Sequence, residues 1–144
     1  MVTPNVRLEQ SEVAKRVGAA VLLLYLAACF TPVVGLDESS PNGLFLLWFG
    51  LMGGFGITWA VIPWSANAFL GLGMVELFRK HYRQALLLGI LGNILGLTTW
   101  WFLWDYPLLI GYYLWQASMV VLVVGVIRCL NMDAVAPSGT VRDN

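Results

Sequence analysis

The chain is 144 residues long, 59% hydrophobic and only 11% charged, with eight basic and eight acidic side chains and a formal net charge of zero. Soluble domains carry about a quarter charged residues, so this composition excludes an ordinary water-soluble domain, and the lack of a basic face excludes nucleic-acid binding. The expectation is an integral membrane protein whose order resides in spanning helices, with no room in this length for a separate soluble catalytic domain.

Residues 1–16 are polar, with Arg7, Lys15 and Arg16 interleaved with Glu9 and Glu12, and Ser11 placed to cap a helix. They read as a short cytoplasmic lead-in. Residues 17–34 form the first apolar run, long enough to cross a hydrocarbon core of about 30 Å. Within it, Leu26-Ala27-Ala28-Cys29 has the form of a lipoprotein processing box, in which Cys29 would carry a lipid. The region before it is long and mixed in charge, so an ordinary first span is the better reading. Asp37, Glu38 and Pro41 then mark a short outer loop without Lys or Arg.

The next apolar run, 43–77, would be roughly 50 Å long as one helix, too long for a straight crossing. Pro63 removes a backbone donor and crowds the carbonyl four residues back, so a kink is expected there. Dividing this run into two spans would push Arg79, Lys80, Arg83 and Arg128 to the outside, whereas a single crossing keeps every basic cluster inside. A third span follows at 85–103, a tight turn at Asp105-Tyr106-Pro107, a fourth span at 108–127 closed by Arg128, and a polar tail at 131–144. The expected fold is an all-α, four-transmembrane-helix antiparallel bundle over 17–130. Its second helix is long and kinked near Pro63, and both termini are cytoplasmic.

Depth follows from counting inward from the basic residues at 1.5 Å per residue. Tyr25, Asn67, Asn93 and Gln116 all fall roughly 14–18 Å from the inner boundary, one on each span, near the bilayer midplane. Amides facing lipid tails would forfeit hydrogen bonds, so this polar layer should face inward, as interhelical glue or as a site for a polar ligand or permeant. Uncharged amides do not serve as acid or base near neutral pH, so no catalytic residues are assigned. Gly89, Gly92 and Gly96, three and four residues apart, and Gly71 on the second span are expected to bring the second and third spans together, with Asn67 level with Asn93 and Gly71 with Gly89.

Aromatic side chains gather toward the outer half, as an interfacial belt would require. Trp64, Tyr113 and Trp115 lie deeper, where they would line a groove for a lipid, a quinone, a pigment or a partner helix. His81 is the single histidine and sits in the basic inner loop, without companions at metal-ligand spacing. Glu76 is placed to pair with Arg79 and Lys80 on its own helix. Cys29 and Cys129 fall at depths about 20 Å apart, too far for a disulfide, and read as small buried side chains.

Two stretches, Ile62-Pro63-Trp64-Ser65-Ala66-Asn67 and Gly111-Tyr112-Tyr113-Leu114-Trp115-Gln116-Ala117-Ser118, resemble the Trp-x-Ala-Asn and Gly-Tyr-Tyr-Leu-Trp elements of an uncharacterised family of small bacterial four-span inner-membrane proteins. Members of that family often carry proline after the Asn, where this chain has Ala68. The resemblance implies four spans and a bacterial inner-membrane location, and brings no activity with it. The expected function is therefore a non-catalytic accessory or assembly subunit, bound to other membrane subunits or to itself and surrounded by membrane lipids. The alternative is a small transporter, channel or lipid- or quinone-binding protein built on the midplane layer.

Overall fold

The computed structural model describes residues 4–35, 40–53, 61–102 and 105–135. Five helices run through them: α1 (Pro4–Phe30), α2 (Gly43–Gly53), α3 (Val61–Phe78), α4 (Tyr82–Phe102) and α5 (Ile110–Val135). No strand is present among the described residues. The segments Leu8–Phe30, Tyr82–Trp101 and Ile110–Met132 are each long and apolar enough to cross a membrane.

α1 is one unbroken helix of 27 residues, about 40 Å long. The polar lead-in and the first apolar run are thus a single element, opened by Pro4 in its first turn, where a missing backbone donor does no harm. It stops at Phe30 because residue 31 precedes Pro32 and is steered away from the helical region, while Thr31 Oγ1 donates to the orphaned carbonyl of Ala27 at 2.9 Å.

The segment after α1 does not hang free. Val33 N donates to Pro41 O, Gly35 N to Pro107 O and Leu109 N to Val33 O, all at 2.8–3.0 Å, so the stretches ahead of α2 and α5 clasp residues 32–35 between them. Isolated bridges pair Pro32 with Asn42 and Val34 with Leu108. Gly111 completes the clasp, because a Cβ there would lie 2.7 Å from Pro32 O and 2.9 Å from Thr31 O.

The run expected as one long second span is folded back on itself. In a continuous helix, Leu47 and Trp64 would stand roughly 25 Å apart along the axis. Instead Trp64 Nε1 donates to Leu47 O at 3.1 Å, and the Trp64 ring fills the place where Gly50 lacks a side chain. At its start α2 leans on α1, with Gly43 against the Ala28 carbonyl and Gly43 N donating to Thr31 O. Gly43 and Gly50 are separated by roughly 10 Å of helix, about one interhelical spacing, so α2 bridges the C-terminal end of α1 to the N-terminal end of α3. Its 11 described residues are fewer than a crossing needs. The kink expected at Pro63 would involve the backbone from residue 59 onward, part of which lies outside the described residues. Pro63 itself falls within the first turn of α3 as described.

The other four helices pack in two close antiparallel pairs, α1 with α5 and α3 with α4, joined by α4 against α5. Gly125 receives the Val17 side chain where α1 crosses α5, and Gly18 receives the Phe78 ring where α1 meets α3. The core is small and apolar: Val21, Ala66, Leu77, Ala85, Met119, Leu122, Val126 and Cys129 are all buried. Large apolar side chains also cover the outside, among them Leu23, Leu26, Leu72, Leu87, Ile94, Leu97 and Val124. That arrangement would aggregate in water and suits a lipid solvent, consistent with the spanning helices.

At its C-terminal end, α3 closes in a Schellman motif: Lys80 N donates to Leu77 O at 3.0 Å and His81 N to Glu76 O at 2.9 Å. Lys80 occupies the left-handed position, at φ 64°, that glycine usually takes. In place of the usual apolar contact across this motif, His81 Nδ1 and Glu76 Oε2 lie 2.7 Å apart, and Arg79 also reaches Glu76 at 3.3 Å. The expected Glu76–Arg79 pair is therefore present with His81 added, and no Glu76–Lys80 pair forms among the described residues.

Candidate functional site

The four residues of the expected polar layer separate into two nodes. In the first, Asn67 Oδ1 accepts from Trp115 Nε1 at 2.9 Å and from Tyr25 OH at 3.2 Å, tying α3 to both α5 and α1. Asn67 Nδ2 donates to Trp64 O of its own helix at 3.1 Å. Both lone pairs of the carbonyl oxygen are thus used, by donors from two other helices.

The second node joins α4 to α5. Asn93 Nδ2 donates to Gly89 O at 3.0 Å, which leaves Asn93 Oδ1 to face α5, where it accepts from Gln116 Nε2 at 3.0 Å. That chain of donors fixes the orientation of the Gln116 amide. Its Oε1 points toward Gly96, 2.6 Å from where a Cβ would stand, and has no partner among the described residues. A buried acceptor left unmet costs about 1–3 kcal/mol. Thr99 Oγ1, three residues beyond Gly96 on α4, is likewise buried and unpartnered.

The three residues expected to line an aromatic groove have different surroundings among the described residues. Trp64 holds α2, Trp115 belongs to the Asn67 node, and Tyr113 is 53% exposed on the outer surface. The buried ring is its neighbour Tyr112, which contacts Tyr113 edge-on at 5.5 Å and Trp115 at 5.9 Å, and whose hydroxyl donates to Gly96 O at 3.4 Å. Consecutive helical residues point about 100° apart, so two adjacent tyrosines need not share the same surroundings, and the sequence offered no means of choosing which is buried.

The glycines are also redistributed. Gly89 faces Val123 and Gly96 faces Gln116, both on α5, while Gly92 alone of the three faces α3, against Phe69 and Ala66. Gly71 has open space around it and lies on the outside of the bundle. The glycine of α3 that lies in the seam is Gly73, against Ala85 and Leu88 of α4 and Leu122 of α5. Sequence reading also missed Gln10, which is buried and donates to Cys129 O at 3.2 Å, because it sits in a stretch assigned to the aqueous lead-in.

Cys29 and Cys129 are both buried. Among the described residues no group of three His, Cys, Asp or Glu side chains is placed to hold a metal ion. Comparison of the chain with protein-family models, with curated proteins and with solved structures finds no match.

Proposed function

We propose that this chain is a non-catalytic, four-span membrane protein that serves as an accessory or assembly subunit, packing against other membrane subunits or further copies of itself. Connectivity supports the fourth span. α1 and α5 meet through Gln10 and Cys129 at the end where α3 turns into α4, while α2 lies at the opposite end, so α3 has to carry the chain across. With the Lys and Arg clusters at that first end, both termini are cytoplasmic, and the resemblance noted above favours a bacterial inner membrane.

The observation that carries the functional reading is how the polar layer is used. The carbonyl oxygen of Asn67 is saturated by Tyr25 and Trp115, and Asn93 binds Gln116, which supports amides that join helices over amides that line an open polar path. Native mass spectrometry of the protein extracted gently from its own membrane tests the proposal. Co-isolation with stoichiometric membrane subunits, or a closed homo-oligomer, is the expected result. A lone chain carrying a polar small molecule would overturn it in favour of transport or lipid and quinone binding.

A further inference from the structure

We infer that the α4–α5 interface holds an internal water site at Gly96, formed by Gln116 Oε1, Thr99 Oγ1 and the Tyr112 hydroxyl. The donor chain from Gly89 O through Asn93 leaves Gln116 Oε1 as a buried acceptor that neither amide can satisfy by flipping. Turning Gln116 would set its oxygen against Asn93 Oδ1, and turning Asn93 as well would break the bond to Gly89 O. Tyr112 approaches the same glycine from one turn away, and its 3.4 Å bond to Gly96 O is long enough to be shared. Thr99 lies on the same face of α4 as Gly96, and its hydroxyl is unpartnered.

Two unmet polar atoms at the α4–α5 interface, with the Tyr112 hydroxyl on the Gly96 carbonyl, match the two to four partners that buried water usually takes. Gly96 lets the Gln116 amide approach α4 this closely, since a Cβ would meet Gln116 Oε1 at 2.6 Å and Met119 and Trp115 at 3.4 Å. The Asn67 node at comparable depth offers no such acceptor, so hydration is confined to the α4–α5 side. This inference rests on the four-span reading for its depth, but not on the assembly role.

The test is water-edited solid-state NMR of the full chain in lipid bilayers, comparing magnetisation transfer from water to the side-chain amides of Gln116 and Asn67. Transfer to Gln116 should be at least severalfold faster, and Thr99→Val or Gly96→Ala should slow it without changing Asn67. Equally slow transfer to both amides would overturn the water site and leave the assembly proposal standing. Equally fast transfer to both would overturn the confinement of water to α4–α5 and also the closed layer on which the assembly proposal depends. A fast Gln116 signal unchanged in Thr99→Val and in Gly96→Ala would place the water elsewhere and refute the site as drawn.

Discussion

Replacing Asn67 by leucine removes the one acceptor shared by two helices. Tyr25 OH and Trp115 Nε1 both lose their partner, and the indole, fixed by its ring, cannot swing to another. Interhelical hydrogen bonds in membranes contribute about 0.6 kcal/mol on average and up to about 1.7, so two of them predict a loss of about 1–3 kcal/mol in Asn67→Leu. The bond to Trp64 O is local to α3 and adds little. Reversible unfolding in mixed micelles titrated with dodecyl sulfate, followed by far-UV circular dichroism, measures the loss. The sharper measurement is a double-mutant cycle. Tyr25→Phe and Trp115→Phe should each destabilise the native protein, and each should lose most of its effect when combined with Asn67→Leu. Additive costs, or an Asn67→Leu protein within about 0.3 kcal/mol of wild type, would show that the node does not hold the helices together.

Two further predictions concern the backbone. Gly125→Ala places a methyl group into the Val17 side chain at the α1–α5 crossing and should destabilise by about 1–3 kcal/mol, whereas Gly71→Ala, with open space around it, should stay within about 0.5 kcal/mol of wild type. Equal costs in the same unfolding titration would mean that Gly71 does not face outward. Lys80→Gly relieves the left-handed backbone at the end of α3 and should raise stability by about 0.5–1 kcal/mol; a loss would indicate that the lysine side chain contributes more than the backbone strain removes.

Much of the architecture was legible in the residues themselves. The apolar runs and the basic clusters at their ends are local features, and they point to helices of membrane-crossing length, although the first run was expected to continue to 34 and α1 stops at Phe30, ahead of Pro32. That Tyr25, Asn67, Asn93 and Gln116 share one level of the bundle was also legible by counting, since rise per residue converts sequence distance into position along neighbouring helices. Their pairing was not: Asn67 takes its partners from α1 and α5, and Asn93 pairs with α5 rather than with Asn67. Depth specifies a level in the bundle, and the direction a side chain takes at that level depends on which helices are neighbours.

Composition and hydropathy determined the solvent this chain folds in and the all-helical form it takes, because those follow from the transfer of side chains and backbone groups out of water. Only tertiary structure decided that Gly73 rather than Gly71 enters the helix seam, that Tyr112 rather than Tyr113 is buried, and that α2 folds back onto Trp64. Lipid tails are as apolar as the bundle core, so a spanning helix carries no strong polar-to-apolar asymmetry to mark its inner face. Residues 71 and 73 differ by about 200° around α3 while looking alike to any hydropathy argument, and packing against α4 and α5 makes the choice between them.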